Sequence, residues 1–350
     1  MKISSSSRFA LGTFSTLGQS PFPGLVLDGR IAPIHALKPV FEELRIGPVD
    51  PSSVLRLLED WNTNYQALQR AADFLSKTAN SGHWRSLFLS AEQLRFHPPV
   101  DLPRQIFCAG ANYRKHVIDL MVDQAAGADS SLSREERRAG AAKLMDDRAA
   151  HGAPFVFSKP ASAITGPYDP VILPKHALQP DWELELAVII GKPARHVARE
   201  KALDYVAGYT IVNDVTNRDQ VFRKDTGAMG ADWIAAKGSP SYLPMGPYLV
   251  PAAFVPDPQN LQITLKLNGE VMQNETTADM IFGVARIIEF LSTHVQLWPG
   301  DLIATGSPAG NGTHYNRFLR PGDVMEGSIT GLGEIRNPCA GEEAQGAHAS

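Results

Sequence analysis

The 350-residue sequence lacks several features that would point to particular classes of protein. It has only two cysteines, Cys108 and Cys339, and no Cys-x-x-Cys motif, which argues against a disulfide framework or a cysteine zinc site. No stretch approaches the roughly 20 apolar residues of a membrane-spanning helix, and the first residues lack the apolar core of a signal peptide. The 33 basic residues do not exceed the 37 acidic ones, so nothing indicates nucleic-acid binding. We therefore expect a cytoplasmic protein with no membrane or nucleic-acid partner.

The composition that remains is that of an ordinary globular protein, and the length allows two domains. Residues 1–100 contain a hairpin pattern followed by an amphipathic helical pattern, without a recognisable chemical motif. We predict a smaller N-terminal α+β domain over 1–100 and a second, larger domain over 101–340. Residues 341–350 are predicted to be a disordered tail.

The stretch from Asp181 to Lys192 has the alternation of a β-strand. Its even-numbered positions from Trp182 to Ile190 are apolar, which places Glu183 and Glu185 together on the other face. Two carboxylates roughly 6.6 Å apart along a strand repel each other, and one divalent cation would relieve that repulsion. An isolated Glu-x-Glu more often marks a solvent-exposed strand face, so further residues must support the metal interpretation.

Two later segments supply such residues. An apolar run from Ala207 to Val212 leads directly into Asn213 and Asp214, so a strand would deliver Asp214 to a sheet edge as a third carboxylate ligand. Lys237 lies between apolar residues and a Gly-Ser-Pro turn, where it could offset the acidic groups and stabilise an oxyanion.

A possible general base occurs earlier in the chain. His116 and Asp119 are three residues apart in a segment that has the pattern of a helix start, so a carboxylate could orient the imidazole. Such a pair more often lies exposed to solvent on a helix surface. The spacing alone does not show whether His116 is a general base.

Residues 121–153 are rich in alanine, arginine and aspartate and predict a probable lid insertion. Ser133 to Glu136 has the form of a capping box that begins a helix, whose apolar side is limited to alanines, Leu144 and Met145. Such a helix would bury little, and Gly-, Ser- and Pro-containing stretches flank it. A passive surface insertion is the equal alternative.

Taken in order, the motifs resemble the fumarylacetoacetate hydrolase family. The resemblance covers roughly Pro103 to Pro338. It is carried by Asn112-Tyr113-x-x-His116-x-x-Asp119, Lys159-Pro160, Glu183-x-Glu185, Asn213-Asp214 with Arg218-Asp219, Lys237-Gly238, Asn268-Gly269-Glu270, Thr305-Gly306-Ser307-Pro308-x-Gly310 and Pro321-Gly322-Asp323. The family pattern usually has Glu where this chain has Asp119, and the 121–153 segment is longer than is usual.

The resemblance implies a mixed α/β, mainly β fold with a β-sandwich roll in the catalytic domain, and a homodimer. It implies Mg²⁺ or Mn²⁺ on Glu183, Glu185 and Asp214, with His116, Asp119 and Lys237 as catalytic residues. It further implies that the substrate contacts come from Tyr113, Lys159, Arg218, Gln220, Thr305 and Gly306.

These parts predict a metal-dependent hydrolase that cleaves a C–C bond in an acylpyruvate or another β-diketone acid. His116, oriented by Asp119, would activate water, and a metal-stabilised pyruvate enolate would leave. The alternative is decarboxylation or keto-enol isomerisation of a 2-oxo diacid on the same metal site. A non-catalytic binding or scaffold protein is a third interpretation, against which the intact acids, His116 and Lys237 argue.

Overall fold

A computed structural model describes residues 7–78, 82–125, 132–225 and 227–343. The strands are β1 Ala10–Ser15, β2 Phe22–Leu27, β3 Arg30–Pro33, β4 Arg95–His97, β5 Ile106–Gly110, β6 Phe155–Ser158, β7 Ile164–Thr165, β8 Val171–Leu173, β9 Pro180–Asp181, β10 Leu184–Ile190, β11 Val206–Asn213, β12 Thr216–Asn217, β13 Leu243–Pro251, β14 Gln262–Leu267, β15 Glu270–Thr276, β16 Leu302–Ala304, β17 Val324–Ile329 and β18 Gly333–Gly341. The helices are α1 Lys38–Glu43, α2 Val54–Glu59, α3 Trp61–Thr78, α4 Gly82–Arg85, α5 Arg114–Ala125, α6 Arg134–His151, α7 Arg218–Val221, α8 Trp233–Lys237, α9 Val284–His294 and α10 Gly312–Tyr315. None of the helices in these ranges is long and apolar enough to cross a membrane.

Two sheets organise the described part of the chain. The larger has 11 strands in the order β3-β2-β1-β13-β11-β10-β16-β5-β6, with β4 on β1 and β7 on β13. The smaller has 5 strands in the order β15-β14-β17-β18-β8. The predicted mixed α/β fold, mainly β, is confirmed.

The smaller sheet packs on the middle of the larger one, where β14 meets β10 and β18 meets β13. Gly327 of β17 shows how close this packing is, because a Cβ at that position would lie 2.5 Å from the Leu184 side chain. A larger residue would force the two layers apart. The strand that carries Glu185 is therefore covered on both faces.

The N-terminal strands extend the larger sheet. Leu11 of β1 pairs with Leu249 of β13, and one contiguous apolar core includes residues of α2 and α3 together with those of β10, β11 and β13. The boundary predicted at residue 100 stays a prediction. The predicted tail begins where β18 ends at Gly341, and residues 344–350 lie outside the described part.

The antiparallel pair β10 and β11 brings the acidic positions together. All seven residues of β10 and all eight of β11 are buried, and Leu184 pairs with Asn213 at the end of the register. Just beyond that pair, the backbone N–H of Asp214 donates to the Glu183 carbonyl over 2.8 Å. The end of β11 thus lies beside the start of β10.

Helices α5 and α6 form a pair with an apolar cluster of its own. Val117, Ile118 and Val122 of α5 pack against Ala141 and Met145 of α6. The predicted capping box of α6 is present, since Ser133 and Glu136 bond reciprocally. The small apolar face expected for residues 121–153 therefore anchors α6 on α5, while residues 126–131 lie outside the described part. Lid motion stays a prediction.

Met145→Ala should loosen this pair without unfolding the sheets. The side chain is 4% exposed, and removing it leaves a cavity that costs about 2 kcal/mol, so amides of α6 should exchange roughly tenfold faster or more. Hydrogen exchange followed by mass spectrometry measures this. Leu144→Ala is the matched control, because Leu144 is 50% exposed on the same helix. Equal acceleration in both variants would show that the cluster does not hold α6.

Candidate active site

Three buried carboxylates meet at the shared end of β10 and β11. One oxygen each from Glu183, Glu185 and Asp214 lies within 4.8 Å of the others, and none of the three residues exceeds 8% exposure. The Glu183 N–H donates to the Asn213 side chain over 2.8 Å, which adds to the backbone bond between Glu183 and Asp214. We call Glu183, Glu185 and Asp214 the acid cluster.

Three cationic side chains neutralise most of this charge. The Lys237 ammonium lies 2.7 Å from Glu183 Oε2 and also donates to Asp214 Oδ2. Lys159 Nζ lies 2.6 Å from the other Asp214 oxygen, and Arg218 Nη2 lies 2.5 Å from Glu183 Oε1. Lone buried charges are costly, so the cluster depends on these cations for its stability.

The two glutamates differ because only one has cationic partners. Burial would raise the pKa of Glu183, but Arg218 and Lys237 lower it well below the usual range. Burial, followed by repulsion from Asp214 and Glu183, raises the pKa of Glu185. No salt bridge to Glu185 forms among the described residues, although the Gly306 N–H donates to it over 2.6 Å. Gly306 has φ +100°, a conformation that favours glycine.

The donor set fits a divalent metal that prefers oxygen ligands. Asp181 accepts from the same Arg218, so four carboxylates share three cationic side chains and Glu185 is left without one. A cation bound by the acid cluster would remove that imbalance, and carboxylate oxygens are the ligands that Mg²⁺ and Mn²⁺ prefer.

His116, on the first turn of α5, is a buried neutral imidazole. Burial and the nearby Arg218 lower its pKa to about 4, against opposing effects of Glu183 and Asp119. Its Nε2 lies 3.5 Å from Asn311 Nδ2. A neutral ring near pH 7 can accept a proton.

Asp119 does not orient His116 in the way that the spacing suggested. Its Oδ1 accepts a hydrogen bond from Arg138 of α6 over 2.7 Å, and the described hydrogen bonds include none between Asp119 and His116. A carboxylate that is already paired with an arginine acts on the imidazole through its charge. The direct partner of the ring is Asn311.

Most of the remaining predicted site residues have their polar groups engaged inside the protein, whereas the buried Tyr113 hydroxyl has no hydrogen-bond partner among the described residues. The Lys159 ammonium is fully buried, and besides its salt bridge to Asp214 it donates to the Tyr242 and Val215 carbonyls. A substrate contact was expected for Lys159, but the structure engages its ammonium with Asp214. Thr305 Oγ1 donates to the Leu186 carbonyl over 2.8 Å. Gln220 donates to Asp219. Tyr113 is wholly buried beside Gly306.

A cavity of about 230 Å³ opens beside His116. We call it the outer cavity. Its lining comes from α5, from the loop after β16 and from α10, and consists of His116, Asp119, Leu120, Asp123, Ala309, Gly310, Asn311, Thr313 and His314. A substrate held at the acid cluster could extend into this space.

Two residues of the site carried no functional prediction. Asp181 is fully buried, accepts from Arg218 Nε over 2.8 Å and from the Gly312 N–H over 2.5 Å, and so ties the loop that lines the outer cavity to the partner of Glu183. The sequence feature that could have indicated a role for Asp181 is its position two residues before Glu183. Asn311 lies in a glycine-rich loop. The glycines predicted that a ligand could approach the backbone closely, but nothing in the composition indicated a role for the Asn311 side chain.

The sequence matches one known protein family and is similar to several known proteins. The family described as fumarylacetoacetate (FAA) hydrolase C-terminal matches residues 105–340. The chain is 33% identical over 291 residues to oxaloacetate tautomerase fahd2, mitochondrial, of Xenopus laevis, which covers 83% of this chain and 80% of that protein. It is 42% identical over 186 residues to 2,4-didehydro-3-deoxy-L-rhamnonate hydrolase of Sphingomonas sp. (strain SKA58), covering 52% and 64%.

Among solved structures, the fold is similar to that of maleylpyruvate hydrolase from Sphingobium sp. SYK-6 in complex with manganese(II) and pyruvate. The TM-score is 0.66 at 27% identity, and the match covers 95% of this chain and 100% of that one.

The environment of His116 predicts an unusual titration. In the metal-free protein the imidazole should remain neutral until the pH falls to about 4, whereas an ordinary histidine gains its proton near 6.5. NMR of ring-labelled protein measures this, with His116→Gln assigning the signal. A midpoint at 6.5 or above would show that burial does not control the ring.

Proposed function

The chain belongs to the fumarylacetoacetate hydrolase family, and from that premise we propose that it is a metal-dependent hydrolase cleaving a C–C bond in an acylpyruvate or related β-diketone acid. The observation that carries the proposal is the buried acid cluster together with a neutral imidazole that is close enough to feel the charge of Glu183 and that lines a cavity. Neither a scaffold nor a purely structural core needs that combination, because each buried charge costs stability.

We assign the metal to Glu183, Glu185 and Asp214, as Mg²⁺ or Mn²⁺. Support comes from the three oxygen donors, from the lack of a cationic partner for Glu185 and from the manganese in the Sphingobium structure. When bound, such an ion supplies Lewis-acid polarisation of the keto and carboxylate oxygens of a 2-oxo acid.

His116 is the proposed general base. It takes a proton from water, the resulting hydroxide adds to the acyl carbonyl carbon, and the bond from that carbon to the methylene group breaks with its electron pair on the pyruvate fragment. The imidazolium then returns its proton to the former methylene carbon, so the products are a carboxylic acid and pyruvate. Asp119 favours the protonated imidazole through its charge, and Asn311 orients the ring by its contact with Nε2.

The cationic residues have separate roles in this proposal. Burial would lower the pKa of Lys237, but Asp214 and Glu183 raise it, so the ammonium stays charged and can stabilise an oxyanion. Arg218 orients Glu183 and offers its charge to a substrate carboxylate, while Lys159 fixes Asp214. Tyr113, Gln220, Thr305 and Gly306 complete the proposed substrate site.

Keto-enol tautomerisation of a 2-oxo diacid is the second candidate, and decarboxylation of such a diacid is a variant of it. The name of the Xenopus relative, an oxaloacetate tautomerase, favours this candidate. It would use His116 to move a proton at the carbon next to the carbonyl, without attack by water.

We also propose a homodimer. Four apolar side chains near the site are largely exposed: Phe155 (49%), Phe222 (74%), Met229 (88%) and Ile234 (68%). Exposed apolar side chains mark contact surfaces where they group into one patch, and sedimentation equilibrium measures the mass directly. A cytoplasmic location stays a prediction, since the Xenopus relative is named as mitochondrial.

Turnover tests the proposal. With Mg²⁺ or Mn²⁺, an acylpyruvate should lose its diketone absorbance and release pyruvate and a carboxylic acid in equal amounts. His116→Gln should lower kcat by about 10² to 10⁴ with little change in metal affinity, because it removes the base and leaves the acid cluster intact. His35→Gln, on the exposed N-terminal surface, is the matched control.

Two outcomes would contradict this account. Enol-to-keto conversion of oxaloacetate without pyruvate release from any acylpyruvate would favour the tautomerase. Unchanged kcat in His116→Gln would show that another residue is the base.

A further inference from the structure

We propose that the outer cavity receives the distal end of the substrate and selects an uncharged, hydroxyl-bearing chain over a chain that ends in a carboxylate. This inference rests on the function proposed above and names the substrate class of the same site.

His116 places the outer cavity close to the acid cluster. His116 lines it and lies close enough to Glu183 and Arg218 for their charges to affect the ring. The loop on the opposite wall is held by Trp182, whose indole N–H donates to the Gly310 carbonyl over 3.0 Å, and by Asp181, which accepts from the Gly312 N–H. A 2-oxo acid bound at the acid cluster would therefore place its acyl end past His116 and into the outer cavity.

The charged groups that line the outer cavity are acidic. Asp119 and Asp123 line it, whereas no lysine or arginine of the described ranges does. Two arginines of α6, outside the lining, pair with these carboxylates: Arg138 with Asp119 at 2.7 Å and Arg134 with Asp123 at 3.6 Å. His314 of the lining is likewise directed at Asp123, with its Nδ1 3.9 Å from Asp123 Oδ2. A substrate carboxylate would therefore meet two carboxylates whose neighbouring basic groups are already engaged with them.

A buried acceptor in the wall points to a ligand that donates hydrogen bonds. Asn311 lines the outer cavity, is fully buried, and its Oδ1 has no hydrogen-bond partner among the residues that the structure describes. An unpartnered buried acceptor is costly unless a ligand supplies a donor. Hydroxyl groups can donate to this oxygen and to both carboxylates, which a carboxylate cannot do.

The size of the outer cavity limits the chain to a short one. At about 230 Å³ it is smaller than the roughly 300 to 1,000 Å³ of typical ligand pockets. The preferred substrates are therefore acylpyruvates whose acyl group carries a few carbons with hydroxyl groups.

The experiment compares three six-carbon 2,4-dioxo acids that end in an ethyl, a hydroxyethyl or a carboxymethyl group. With the metal-loaded full chain, kcat/KM should be highest for the hydroxyethyl compound, intermediate for the ethyl compound and roughly tenfold below the hydroxyethyl value for the carboxymethyl one. The penalty on the carboxymethyl compound should shrink as salt is added, because 47% of the Asp123 side chain is exposed to solvent.

Asp123→Asn identifies the cause of the selectivity. It should raise kcat/KM for the carboxymethyl compound roughly fivefold and change the ethyl compound little. Asp147→Asn is the matched control, because Asp147 is an exposed residue of α6 that does not line the outer cavity.

The outcomes separate this inference from the proposed function. Turnover with the carboxymethyl compound preferred, or with the ethyl and hydroxyethyl compounds equal, would overturn the inference and leave the hydrolase standing. No turnover of any of the three would overturn both. An equal effect of Asp123→Asn and Asp147→Asn would show that Asp123 does not set the selectivity.

Discussion

The interaction on which the rest of the structure depends is the balance between four buried carboxylates and three cationic side chains, the buried Lys159 and Lys237 and the partly buried Arg218, at the end of β10 and β11. Removing one partner of a buried ion pair would leave an uncompensated charge inside a two-layer β structure, which typically costs about 3 to 5 kcal/mol. The register of the two strands sets the distances, since Asp214 and Glu183 are joined by a backbone hydrogen bond. Of the four carboxylates, Glu185 alone lacks a salt bridge among the described residues, and the proposed metal site rests on that deficit.

The proposed base comes from a different packing unit. His116 lies on α5, whose other face packs with α6 in the satellite cluster of Val117, Ile118, Val122, Ala141 and Met145. The acid cluster can therefore stay rigid within the sheets while the imidazole and the walls of the outer cavity depend on the weaker α5–α6 pair. Asp181 links the two regions, because it binds both Arg218 and the loop that carries Asn311.

Much of the site could be predicted from the sequence, because strand periodicity and strand ends place side chains without knowledge of the partners. Alternation placed Glu183 and Glu185 on one face, and the apolar run before Asp214 delivered it to a strand end. Contacts between distant segments could not be predicted in this way. Spacing suggested that Asp119 would orient His116, but Arg138 of α6 binds that carboxylate. The sequence led us to underestimate the apolar face of α6, because that face includes alanines, which are apolar but small.

A crystal structure with Mn²⁺ and pyruvate tests the central claim most directly. The account predicts one anomalous peak within coordination distance of an oxygen from each of Glu183, Glu185 and Asp214, with pyruvate on the same ion and its methyl group directed toward His116. At saturating Mn²⁺, an anomalous peak elsewhere, or density at the acid cluster explained by the Lys237 ammonium alone, would contradict it.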